Sequence, residues 1–452
     1  MNDWLDAEQR VERAQQLSES QRWAEALVEI DVALGVNPSN ASWHAQRGFI
    51  LEELDRPEDA SRAYERSLEL EPEDRGVAVA LGNVLIQLGR HARAVEVFEE
   101  LARSYPDFEP AYCSLIGAYT ELGLHDKAEE MFYLAQELDE RCPHCFFQIA
   151  ASLFARGLTE RAIYCWERVL DLEPAYVGVC RRIGRAYRSQ GKLEIAREYF
   201  VREVREDPGN TDLLYELADL TLEAGDVASA AGKLAQIIEL DADHAGARFA
   251  LGKIWLAKGQ PAQAWECFNA IDHSIDDDPE LDKLDLKAGE ALYQLRRFDE
   301  ARERLVQAAA RDTANPDIRM QIGNCLLATN KPSDAADWYR RVLALDARQP
   351  YAQHNLAVCL FQMEDYEGGV VHCLHALRSK PDYVLAMHNA AIAYVQLARW
   401  SEARSMLKKA LRHDPGSQTL EQLSRRLWRF RVQVSVRRMV NRVRRILGRP
   451  VA

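Results

Sequence analysis

An all-α solenoid of antiparallel helix pairs is the fold class this sequence predicts, and three observations predict it. The first is a period. Residues 177–210, VGVCRRIGRAYRSQGKLEIAREYFVREVREDPGN, are rewritten every 34 residues, in frames opening at 7, 41, 75, 109, 143, 177, 211 and 245. After three extra residues the frames resume at 282, 316, 350 and 384. The second is a pair of small residues kept in step, since the eighth position is Ala or Gly everywhere except Ile116 and the twentieth is Ala everywhere except Gly369. The third is punctuation. Gly89, Gly123, Gly157, Gly191, Gly225 and Gly259 fall at one position within their frames, and Pro38, Pro72, Pro106, Pro174, Pro208, Pro381 and Pro415 close theirs.

Each element of a frame has a physical reason. Glycine leaves the first helix at positive φ without a Cβ clash, and proline cannot continue the second. Small residues at positions eight and twenty let the paired helices approach closely. A large side chain at position twenty-four then fills the gap, as with Tyr64, Phe98, Phe132, Trp166, Phe200, Phe268 and Tyr339. In chain order, residues 1–6 form a lead-in, 7–278 hold repeats one to eight, and 279–281 are an insertion inside DHSIDDDPELD that marks a kink or sub-array boundary. Residues 282–417 hold repeats nine to twelve, where the inter-helix glycine becomes Arg296, Asn330, Glu364 and Ala398. Leu420, Leu423, Leu427, Phe430 and Val434 recur at helical spacing, predicting a capping helix over 418–434. Residues 435–452 read as an arginine-rich amphipathic tail.

The pattern of small residues, the large twenty-fourth position and the closing prolines resembles the tetratricopeptide repeat family over residues 7–417, twelve repeats. The resemblance implies a right-handed superhelix whose first helices line a concave ligand groove, and hence protein partners bound as extended or helical segments. In that frame positions two, five, nine and twelve of each first helix face the groove, among them Phe147, Phe154, Tyr215, Phe249, Leu256, Tyr293 and Met320. An apolar surface of this kind suggests hydrophobic anchors, with ordinary inter-repeat packing as the alternative. Arg181, Arg185 and Arg188 stand one turn apart on one face, suited either to an acidic ligand or to pairing with Glu216 and Asp219. Asn324, His354, Asn355, His388 and Asn389 form a polar patch able to bond a peptide backbone. The family's carboxylate clamp for chaperone tails is disfavoured, because Met320 and Leu385 occupy two positions that need a cation.

Composition excludes several classes. The chain is 28% charged with a net charge of −14, has no run of eighteen apolar residues, and begins without a basic or apolar leader, so a cytoplasmic protein is expected. Its nine cysteines are odd in number and spread through helices, as in a reduced core. Ten arginines lie between Arg425 and Arg449, with no acidic residue after Glu421. Arg437, Arg438, Arg442, Arg444 and Arg445 could meet an anionic membrane, placing the protein at a membrane periphery, or dock on the acidic body. Nucleic acid is disfavoured for want of lysines and interleaved aromatics.

Only 41 residues lie outside the span 7–417, and no phosphate loop, HExxH or nucleophile elbow occurs, so no enzyme and no cofactor is expected. Asp276, Asp278, Glu280 and Asp282 imitate a calcium loop that Leu281 and Lys287 spoil. Cys142-Pro143-His144-Cys145 carries a CxxC, read mainly as a structural turn. Redox or metal chemistry is the alternative, but zinc would need two further ligands and there is no second CxxC. A His/Cys set from His354, Cys359, His372, Cys373 and His375 is weaker still, because two of its cysteines sit at packing positions. The expected function is a non-catalytic scaffold or adaptor. A regulator tethered by its tail to membrane or nucleic acid is the alternative, and a thiol-based protein using CPHC ranks below both.

Overall fold

The computed structural model describes residues 2–271 and 283–427, and all regular structure among them is helical. The chain divides into two compact units, Met1–Asp226 and Val227–Ala452. That division falls at Asp226 rather than at 279–281, which lie outside the described residues together with the acidic loop from Asp276 to Asp282. The arginines of the tail, Arg437, Arg438, Arg442, Arg444 and Arg445, also lie outside them. No described helix is long and apolar enough to cross a membrane.

In the first unit the first helices of repeats two to five are Ala41–Glu53, Arg75–Gln87, Glu109–Glu121 and Pro143–Ala155, each opening where its frame opens. In the second unit Ala245–Ala257, Pro316–Ala328, Pro350–Gln362 and Val384–Gln396 do the same. Helix-pair contacts dominate, followed by contacts from each second helix to the next first helix. This nearest-neighbour pattern is the one an array of helix pairs requires. Second helices such as Pro57–Leu70 and Leu193–Glu206 stop two residues short of Pro72 and Pro208, because a residue preceding proline is pushed out of the helical region.

Repeat six departs slightly. Its first helix, Val179–Ser189, begins two residues into the frame because Gly178 holds a left-handed φ of 83°. Glu203, on the partner helix Leu193–Glu206, accepts bonds from the Gly178 and Arg181 amides at 2.6 and 3.2 Å, satisfying helix-end donors that no local side chain caps.

The spacing rules acquire atoms. A Cβ built on Gly48 would lie 2.5 Å from the Tyr64 ring, on Gly323 2.7 Å from Tyr339, and on Gly289 2.7 Å from Leu305. Position eight is therefore small because position twenty-four lies directly on it. Gly369, the exception at position twenty, is covered by the ring of Phe361 from the preceding helix. Past the last pair, residues 418–427 are helical and Leu420 is buried with Met387, Ala391, Leu407 and Ala410.

The turn between paired helices is left-handed even where glycine is missing. Gln21, Asp55, Arg296, Asn330, Glu364 and Ala398 all have φ between 56° and 64°. The backbone is imposed by helix pairing, and an L-residue there costs about 1–2 kcal/mol. Relieving that strain is opposed by the greater freedom of glycine in the unfolded chain. Ala398→Gly should therefore raise stability by a net amount of about 0.5–1 kcal/mol, measurable as an increased denaturant midpoint. An unchanged or lowered midpoint would show that the turn is unstrained.

Candidate functional site

The predicted groove residues do not form one exposed apolar strip. In the first unit Phe147 and Phe154 are half-buried. Phe147 lies 5.2 Å from the Tyr176 ring, 6.4 Å from His144 and 4.6 Å from the Arg182 guanidinium, while Phe154 packs 5.7 Å from Trp166. Tyr215 is half-buried on Thr211–Glu223. In the second unit Phe249 is only 2% exposed and packs on Phe268, which corrects its assignment to a ligand surface. Phe268 lies on Gly252 of the same helix as Phe249, and Phe249 is buried with it in one cluster that includes Ala264, Leu284 and Ala288. Leu256 and Met320 are half-buried against core clusters, and Tyr293 is the one of these residues exposed, at 38%.

Arg181, Arg185 and Arg188 are engaged. Glu216 accepts from Arg181 Nε at 2.7 Å and from Arg185 Nε at 2.8 Å. Glu223 accepts from Arg188 Nε at 2.9 Å, and Asp219 pairs with the same guanidinium. Three cations spaced four and three residues apart on one helix meet three carboxylates spaced three and four apart on the next first helix, Thr211–Glu223. The row is thus an inter-repeat clamp. The arginines hold Glu216 and Glu223 below the ordinary carboxylate range, and Glu223 with Asp219 pushes Arg188 upward.

The asparagine patch is a connected ladder across three first helices. Asn324 Oδ1 accepts from the Tyr339 hydroxyl at 2.7 Å and from Asn355 Nδ2 at 3.0 Å. Asn389 Nδ2 lies 3.0 Å from His354 Nε2, whose Nδ1 is 3.2 Å from both Asn355 Oδ1 and the Tyr383 hydroxyl. His354 is 7% exposed, and burial lowers its imidazole from the usual range. His388, 34 residues after His354, is half-buried beside Asn389. A cleft of about 250 Å³ opens next to the ladder, walled by Phe361, Gln362, Asn389 and Ile392. Ile392 is 37% exposed and Leu385, on the same helix, 57%.

A second assembly escapes the sequence reading. Glu109 and Cys113, four residues apart on Glu109–Glu121, face Cys142 and Cys145 at the start of Pro143–Ala155, and one donor atom from each lies within 4.8 Å of all the others. Among the described residues this is the one such gathering of three or more His, Cys, Asp or Glu ligand atoms, and His354, Cys359, His372, Cys373 and His375 make none. Cys142 caps the helix, its Sγ accepting from the Cys145 amide at 3.2 Å, and the Cys145 thiol donates to Glu109 Oε1 at 2.8 Å. Hydrogen bonds from the Cys113 and Cys145 thiols hold the Cys142 thiol far below its usual range. The same sharing raises Cys113 and Cys145, and burial lifts Glu109 to about 7. The two further ligands that CPHC alone lacked are therefore present. The repeat frame contained the signal, because frame openings 109 and 143 lie side by side in adjacent repeats.

Comparison with known proteins places these sites in context. Profiles of the tetratricopeptide repeat match residues 47–108, 79–141, 147–211 and 286–353, and two further profiles of the same repeat match 221–288 and 386–419. The type IV pilus assembly protein PilF of Pseudomonas aeruginosa is 26% identical over 148 residues, 32% of this chain and 57% of that relative, so the match spans little more than half of PilF. Similar solved structures include the Cut9–Hcn1 assembly of the APC/C (13% identity, 92% of this chain and 95% of that one, TM-score 0.39). Yeast Tom70 is another (14%, 95% and 96%, TM-score 0.36). On the repeat matches, which run from residue 47 to residue 419, the chain belongs to the tetratricopeptide repeat family.

Proposed function

We propose that this chain is a non-catalytic interaction scaffold that holds an extended segment of a partner protein across the first helices of repeats ten to twelve. Arrays of this family are generally scaffolds that bind proteins or peptides, and the repeat content here supports that role. The observation that carries the finer reading is the ladder of Asn324, Asn355, His354 and Asn389 beside the cleft walled by Phe361 and Ile392. An amide side chain has two donor hydrogens and two acceptor lone pairs, so an asparagine with one internal bond can still pair with a peptide backbone. The adjoining cleft takes an apolar side chain from the same peptide. Backbone bonds set its direction, and the apolar anchor supplies most of the affinity.

A peptide selected from a display library against the full-length chain tests this. Ile392→Glu should weaken its binding by at least about tenfold, the equivalent of roughly 1.4 kcal/mol, and Asn389→Ala should weaken it less. Retention of wild-type affinity by both variants would remove the ladder and cleft as the binding surface.

A further inference from the structure

We propose that Glu109, Cys113, Cys142 and Cys145 form a structural zinc site that ties the first helices of repeats four and five together. Four donor atoms from two helices converge within 4.8 Å of one another. A tetrahedral zinc ion with Zn–S bonds of about 2.3 Å and a carboxylate bond of about 2.0–2.2 Å sets its ligand atoms roughly 3.5–3.8 Å apart. Small side-chain rotations therefore suffice to seat one ion. A polynuclear iron–sulfur cluster would sit between the thiolates and force them further apart than this gathering permits. Three soft thiolates with one harder carboxylate in tetrahedral array suit zinc among the common divalent ions. Four protein ligands leave no open position, as befits a site that holds structure rather than one that activates water.

The surroundings are arranged for bound charge. Cys142 lies at the N-terminus of Pro143–Ala155, where the helix dipole favours an anion, and its sulfur already accepts the Cys145 amide hydrogen. Cys113 and Cys145 are 3% and 1% exposed, so the inner half of the site is shut off from solvent. A thiol–disulfide site would also pair a half-buried Cys142 with a buried Cys145, so what separates the two readings is the pair of groups a disulfide would leave unused. A Cys142–Cys145 disulfide would deprive the Glu109 carboxylate of its thiol donor and leave Cys113 facing an inert bond. Metal binding uses all four groups, with the thiol protons leaving to solvent as the ion enters. The site lies within one unit and is independent of the peptide cleft proposed for repeats ten to twelve.

The test is metal analysis of the full-length chain purified under reducing conditions without chelator. The expected result is one zinc ion per chain. Cobalt substitution should give the visible absorption of a tetrahedral thiolate complex, and stripping with chelator should lower the melting temperature until zinc is restored. Cys142→Ser should abolish stoichiometric binding. Cys113 is buried, so its replacement could disturb folding. Glu109→Gln keeps size at a half-buried position and should weaken zinc binding by at least about tenfold, since even loss of an outer-sphere partner costs 10–100-fold. The proposal is overturned if the reduced wild-type chain holds no zinc and gives no tetrahedral cobalt spectrum. It is equally overturned if Cys142→Ser and Glu109→Gln bind zinc as tightly as wild type, or if Cys142 and Cys145 are recovered as a disulfide from chain never exposed to oxidant.

Discussion

Gly82→Ala should destabilise the first unit by about 1–3 kcal/mol, although alanine occupies the equivalent position in five other repeats. A Cβ on Gly82 would lie 2.1 Å from the ring of Phe98, which is fully buried in the core. The ring cannot swing away without vacating the core. Repeats that carry alanine here mostly carry a smaller partner, as with Ala14 opposite Ile30 and Ala391 opposite Leu407. The double variant Gly82→Ala/Phe98→Leu should therefore recover part of the loss, and Phe98→Leu alone should leave a cavity and lose stability. Denaturant melts of the four chains make a double-mutant cycle. Additive effects would refute the claim that these two positions are one steric unit.

The second large effect is expected at Asp285, whose side chain is 2% exposed and is paired with Arg304 at 3.2 Å and Arg311 at 2.5 Å. Removing one partner of a buried ion pair typically costs 3–5 kcal/mol. Here the arginine side chains are 21% and 43% exposed and can turn toward water, so Asp285→Ala should cost about 2–3 kcal/mol. Arg311→Ala should cost less, because Arg304 remains to hold the carboxylate. The Arg188 clamp provides a contrast. Its acidic partners, Asp219 and Glu223, are 49% and 42% exposed, and salt should screen it much more strongly than the Asp285 pair. Equal salt sensitivity of the two sets of variants would contradict the burial argument.

How much of this could be read from the chain depended on whether a position obeys the period. Gly48, Gly82 and Gly323 recur in register with Tyr64, Phe98 and Tyr339, so their contact is legible in the sequence. The three arginines of repeat six were legible as a row. Their destination was not, because a cation of that spacing suits a ligand or a neighbouring helix equally. Pairing was decided by Glu216, Asp219 and Glu223 arriving on the next first helix at matching height. Phe249 shows the opposite failure, since its position implies a groove and its neighbours bury it.

The sequence by itself determined the fold class and the helix pairing within repeats, because both follow from local backbone rules and a period short enough to recur twelve times. Only the tertiary structure decided which side chains of adjacent repeats meet. It set Glu109 and Cys113 against a CxxC some thirty residues away in the chain, and it decided for pairing where the arginine row had suited a ligand or a neighbouring helix alike. Periodicity states which repeats are neighbours. Distances of a few ångströms between particular donor atoms depend on how helices rotate and settle against one another, and that is a property of packing.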